Sequence, residues 1–210
     1  MSQFIESIRI HKGIAENIAL HQKRVNKTLG QKTGDGLNLN ELIQDLQIPK
    51  NGLFKWRLEY TKDKIQKNQL IPYAERTVKR IQLVEAPDLK YALKYSDRNS
   101  FEKLLTQSNA DDIIITQNGY LTDASYSNLF FWDGQQWVTP STPLLYGTQR
   151  EIILKKKLAI EKQIHLNNLS KYTHFKRVNA MMNWEDSKIE KIDIIICWAK
   201  WEIQEMSQES

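Results

Sequence analysis

Three places in the chain combine residue types that can do chemistry: Lys94 in LKYSDRN, Asp123 in LTDASYSNLFF, and Gly147-Thr148-Gln149 at the end of TPSTPLLYGTQR. A lysine amine that is partly neutral condenses with a carbonyl. A carboxylate at the end of a sheet can hold a protonated ring nitrogen. Gly147 lets the backbone come close to a ligand, and the unpaired N–H groups of Thr148 and Gln149 at a helix start hold an anion, helped by the helix dipole. Amine, acid and anion cradle are the three grips that pyridoxal 5′-phosphate needs, for its aldehyde, its ring nitrogen and its phosphate.

Each of these residues also has a plainer reading. Asp123, Ser125, Ser127 and Asn128 interrupt an apolar stretch, and short polar side chains of these types also cap turns. Lys94 competes with Lys90 just upstream and with the chain's surface lysines.

The elements that must position these residues follow from periodicity. Residues 3–20 read as two short strands around the turn His11-Lys12-Gly13, and 21–32 as a helix. Residues 40–47 fit a second helix capped by Asn38 or Asn40. Residues 54–60 and 77–85 alternate like strands, so 1–86 reads as a small α+β domain. Ala86-Pro87-Asp88 breaks the pattern, 87–94 reads as a linker ending in Lys94, and 95–210 as a second domain. In that half, 98–108 is an amphipathic helix. DIIITQ-NG-YLT and LFFW-DG-QQWVT are hairpins, the first on Asn118-Gly119. Residues 139–147 form a loop, 148–160 a helix, and KIDIIIC a late strand.

Hydrophobic residues make up 40% of the 210, enough for a folded core. The net charge of +5 is spread along the chain, which argues against a dedicated nucleic-acid surface. The single cysteine, Cys197, excludes an internal disulfide and reads as a small buried hydrophobe. No N-terminal stretch has the pattern of a signal peptide, and no window approaches the roughly 18 apolar residues of a membrane span. The composition therefore points to a cytoplasmic protein. His11, His21, His165 and His174 have no metal-ligand spacing, so no metal is expected. Trp132, Trp137, Trp184, Trp198 and Trp201 read as core and interface aromatics.

The order and wording of the motifs resemble the class IV aminotransferase family, the fold-type-IV pyridoxal phosphate enzymes. That family includes branched-chain and D-amino-acid aminotransferases and aminodeoxychorismate lyase. The resemblance rests on Phe4-Ile5-Glu6-Ser7-Ile8-Arg9, on His21 with Arg24, and on Lys94 with Arg98. It continues through Asp111-Asp112, Asn118-Gly119, Leu121-Thr122-Asp123, Ser127-Asn128-Leu129-Phe130, Thr139-Pro140, Gly147-Thr148 and Arg150. It implies a two-domain fold, a small N-terminal α+β domain beside a larger barrel-like one, and a homodimer.

The resemblance also implies roles. Lys94 would form the Schiff base and then carry the proton between the substrate Cα and the cofactor. Asp123 would pair with the ring nitrogen, where the family more often has Glu. Asp is shorter by one carbon, about 1.5 Å. Arg24 would fork onto the phosphate. Thr148 and Gln149 would give the same phosphate their N–H groups beside Gly147. Asn179-Ala180 falls where the family has a second phosphate and carboxylate loop, although Met181 and Met182 beside it read equally well as packing. Ser127 and Asn128 would shape the turn that aims Asp123. The chain opens at the Phe4 strand, without the first strands of longer members. The substrate would be an amino or keto acid, and the reaction transamination, with 4-amino-4-deoxychorismate elimination or a binding scaffold as alternatives.

Overall fold

The computed structural model describes residues 2–31 and 36–196. Cys197, Trp198 and Trp201 lie outside the described residues. The chain divides into two compact units. The first holds the residues up to Arg76, together with Tyr91–Asp97 and Ala180–Asn183. The second holds Thr77–Lys90, Arg98–Asn179 and the chain from Trp184.

In the first unit the strands are β1 (Phe4–His11), β2 (Ile14–Ala15), β3 (Leu53–Tyr60) and β4 (Ile65–Pro72). They form one antiparallel sheet in the order β2-β1-β3-β4. Helix α1 (Ile18–Leu29) starts three residues ahead of the sequence reading. It stops at Gly30, whose left-handed backbone (φ 66°) turns its N–H back to the carbonyls of Asn26 and Lys27. The short helix α2 (Leu39–Leu42) is capped by Asn38, whose side chain accepts from the Asn40 N–H. Strand β4 has no counterpart in the sequence reading. It is an edge strand with most of its side chains in solvent, so no apolar alternation marks it.

The core of this unit is Phe4, Ile8, Ile10, Val25, Leu39, Trp56, Leu58 and Tyr60. Leu93 and Tyr95 pack on it, with the Tyr95 ring 5.4 Å from that of Phe4. That contact explains why 91–97 belongs here. Each such burial contributes about 1.5–3 kcal/mol, which has to offset the ionised groups this unit also buries.

The second unit contains β5 (Ile81–Glu85), α3 (Asn99–Ser108), β6 (Asp112–Gln117), β7 (Tyr120–Ala124), β8 (Asn128–Trp132) and β9 (Trp137–Pro140). After these come α4 (Thr148–Lys155), β10 (Ile160–Lys162), β11 (His174–Val178), β12 (Glu190–Lys191) and β13 (Ile195–Ile196). Nine described strands form one sheet, with β10-β9-β8-β7-β6-β5-β13 in order, β11 added on β8 and β12 on β11. The β5–β6 pair is parallel, joined through α3. Asn118 (φ 52°) and Gly119 (φ 78°) are both left-handed, the two-residue turn that suits the twist of the β6–β7 hairpin. The β8–β9 hairpin closes around Asp133, whose Oδ1 accepts from the N–H groups of Gln135 and Gln136.

Three expected elements are shorter than the sequence suggested. Strand β5 begins only at Ile81, and α4 ends at Lys155 because Lys157 turns left-handed (φ 56°). The late strand is broken by a 3-10 turn at Ile192–Ile194. No described helix is long and apolar enough to cross a membrane.

Candidate functional site

Lys94, Arg24 and Ala180 belong to the first unit, and Asp123, Ser127, Asn128, Gly147, Thr148, Gln149 and Asn179 to the second. In the first unit β1 supplies Glu6, and α1 supplies His21 and Arg24 from one face, three residues apart. Glu6 is completely buried. Its Oε1 accepts from Arg24 Nε at 2.7 Å and its Oε2 from Arg24 Nη2 at 2.5 Å. His21 Nδ1 lies 2.6 Å from the same Oε2. Burial alone would push the Glu6 carboxyl up, but the Arg24 charge and the Arg24 and His21 hydrogen bonds hold it at about 2. His21 is shifted downward, by burial first, against the pull of Glu6. Burial favours the neutral form of the ring, and against the ionised carboxylate Nδ1 is the donating nitrogen.

Lys94 is pinned to the start of β1. Its carbonyl accepts the Ile5 N–H at 2.9 Å, Tyr95 bridges Phe4, and Ser96 N–H reaches Gln3 O at 2.9 Å. Lys94 is half-buried, whereas its rival Lys90 is exposed. The charges of Arg24 and Lys94 both act on His21. The segment bearing Ala180 is held by Arg9, whose Nη1 donates to Met181 O at 2.7 Å.

In the second unit the polar stretch after β7 is almost wholly satisfied. Asp123 and Asn128 are register partners across β7 and β8. Asp123 Oδ1 accepts from Asn128 Nδ2 at 2.7 Å, and Oδ2 from the Leu145 N–H at 2.9 Å. Asn128 Nδ2 also reaches Leu145 O at 2.9 Å, tying the loop ahead of α4 to the sheet. Ser125 Oγ donates to Asp112, and Tyr126 is held through its hydroxyl by Arg177 and through its carbonyl by Asn179 Nδ2. Ser127 Oγ is buried without a hydrogen-bond partner. Burial raises the Asp123 carboxyl to about 6, against the hydrogen bonds from Leu145 and Asn128 and the more distant Arg150 charge.

Gly147 precedes α4, and a Cβ on it would overlap Asn128 Oδ1. Its φ of −71° suits any residue, so the requirement for glycine is one of space. The N–H groups of Thr148 and Gln149 sit at the helix start, where no preceding turn supplies an acceptor.

Comparison with known proteins places these features. The model of the family described as amino-transferase class IV matches residues 3–185. A Haemophilus influenzae protein is 36% identical over 186 residues, 86% of this chain and 98% of its own length. The chain belongs to the class IV aminotransferase family. The crystal structure of a candidate 4-amino-4-deoxychorismate lyase from Haemophilus somnus is 32% identical, with a TM-score of 0.79 over 87% of this chain and 98% of that one. A hypothetical aminotransferase from Mycobacterium tuberculosis, in its PLP-bound form, is similar in fold alone: 13% identical, TM-score 0.68, covering 92% of this chain and 81% of that one.

Sequence reasoning missed one cluster in this class IV chain. Arg177 is buried and forks onto Glu190 at 2.8 and 3.0 Å, while its Nη1 reaches Tyr126 and, at 3.5 Å, Asp112. Its partners come from three separate stretches of sequence, so no short-range spacing announces it. Arg150 is also buried; its Nη2 donates to Pro140 O and Glu161, and its Nε has no hydrogen-bond partner.

Proposed function

We propose that this class IV chain is a pyridoxal 5′-phosphate enzyme that moves a proton at the Cα of an amino-acid or amino-substituted substrate. The observation that carries the reading is Lys94, half-buried and held by its main chain beside the Glu6–His21–Arg24 cluster. Burial disfavours the charged form of an amine, which suits a residue that gives and takes a proton.

Each unit keeps donors of the types the cofactor takes. Arg24 commits Nε and Nη2 to Glu6, which leaves Nη1 for a phosphate oxygen. The Thr148 and Gln149 N–H groups and the Ser127 hydroxyl offer further donors. Asp123, held by two uncharged donors, gains most from a cation at its remaining lone pairs. Asn128 and Gly147 would keep Asp123 and the loop in place, and Asn179-Ala180 would close the phosphate side. When bound, the cofactor supplies an electron sink for the Cα–H bond that breaks. Lys94 would take that proton and deliver it, and Asp123 would keep the ring nitrogen protonated.

Two outcomes share this proton transfer. Return of the proton to the cofactor gives transamination between amino and keto acids. Loss of a leaving group gives elimination, as in 4-amino-4-deoxychorismate lyase, and the Haemophilus somnus relative favours that second outcome.

The test is borohydride reduction of protein loaded with pyridoxal phosphate, followed by peptide mapping. Label on the Lys94 peptide, absent in Lys94→Ala, supports the reading; label that survives in Lys94→Ala points to Lys90 or another lysine. No label in either protein sinks it. Pyruvate release against amino transfer then separates the two outcomes.

A further inference from the structure

Two buried groups in the first unit are given no part in the proposed proton transfer: Glu6, fully buried and ionised, and His21, 1% exposed. A buried carboxylate is costly unless it is paired and hydrogen-bonded. A phosphate grip alone would need only an arginine at a surface, so the chain maintains more than that grip requires.

The geometry explains what the extra groups do. Arg24 reaches Glu6 through two adjacent nitrogens, which fixes the plane of the guanidinium as well as its position. Glu6 would be free to rotate about its terminal torsion, but His21 holds Oε2 from a second direction. The chain of restraint therefore runs from His21 to Glu6 to Arg24. A free arginine side chain loses rotamer freedom when it is fixed. Here part of that cost is already met before any ligand arrives, and Nη1 is left in a set direction.

We propose that His21 and Glu6 are positioning residues that pre-orient Arg24 as a phosphate-specific grip, with His21 Nδ1–H donating to the Glu6 carboxylate. The inference rests on the reading of Arg24 as the phosphate ligand. Replacing Glu6 would change both charge and geometry. Replacing His21 removes one hydrogen bond and leaves the Glu6–Arg24 pair in place, which makes it the cleaner probe.

The experiment compares dissociation constants for pyridoxal phosphate and for pyridoxal, which keeps the aldehyde and ring but lacks the phosphate. The variants are His21→Leu, His21→Met, His21→Asn and Arg24→Ala, each checked for a cooperative thermal melt. His21→Leu and His21→Met remove the donor and should weaken pyridoxal phosphate binding on the order of tenfold, leaving pyridoxal unchanged. His21→Asn supplies an amide N–H and should restore most of the loss. Arg24→Ala should abolish the preference for the phosphorylated form. If Arg24→Ala does so while folded His21→Leu or His21→Met retains the wild-type preference, the positioning role is overturned and the phosphate reading stands. If Arg24→Ala also leaves the preference intact, the phosphate reading itself falls. Equal weakening of both ligands in the His21 variants marks a general structural role and overturns the proposal.

Discussion

Asp123 sits at 5% exposure, and burial raises its carboxyl from 3.8 to about 6. An acid with a higher pKa in the folded state binds its proton more tightly there than in the unfolded chain. Between those two values the folded state holds more proton, so this group's contribution to stability falls as pH rises through about 6. The loss at neutral pH is on the order of 3 kcal/mol. Asp123→Asn removes this titration. In urea unfolding of the cofactor-free protein, the stability difference between wild type and Asp123→Asn should shift against the wild type from about pH 4 to about pH 7. A constant difference would show that this carboxyl does not titrate there. A cation beside Asp123 stabilises the ionised form, so bound pyridoxal phosphate should flatten the trend. Reading Asp123 as the acid of the stretch needed only its type and place. Its pairing with Asn128 and the Leu145 N–H comes from strand register and a distant loop.

At the scale of elements, the β7–β8 turn and the loop before α4 are joined through Asn128. Gly147→Ala puts a methyl group onto Asn128 Oδ1, so Asn128 has to move and its bonds to Asp123 and Leu145 weaken. The expected cost is about 1–3 kcal/mol, read as a lower melting temperature. Asn128→Ala added to Gly147→Ala should cost less than Asn128→Ala alone, because the clash and the broken bonds are the same. Additive costs would mean that the two residues act separately. The Asn118-Gly119 hairpin and α3 were legible in the sequence because turn chemistry and helical period are local signals. Strand β4 was not, because an exposed edge strand pairs through its backbone and leaves its side chains in water.

For the whole molecule, membership of the class IV family carries the expectation of a symmetric homodimer. Light scattering on the eluted protein should return twice the 24.7 kDa chain mass. The monomer mass at micromolar concentration would overturn that expectation. The composition of the two units was the least legible feature. Tyr91–Asp97 joins the first unit through Tyr95 against Phe4, and Ala180–Asn183 joins it through Arg9 on Met181. Both are contacts between residues far apart in sequence.

The sequence by itself determined the family, the order of the motifs and which residue types are present to meet a cofactor. These depend on local spacing and side-chain chemistry, which survive without coordinates. Only the tertiary structure decided what each of those groups already touches. It placed Glu6 under Arg24 and His21, gave Asp123 two neutral donors, and buried Arg177 among partners from three segments. The physical reason is that hydrogen-bond satisfaction and desolvation depend on neighbours in space, and those neighbours lie from 5 to 65 residues apart along the chain.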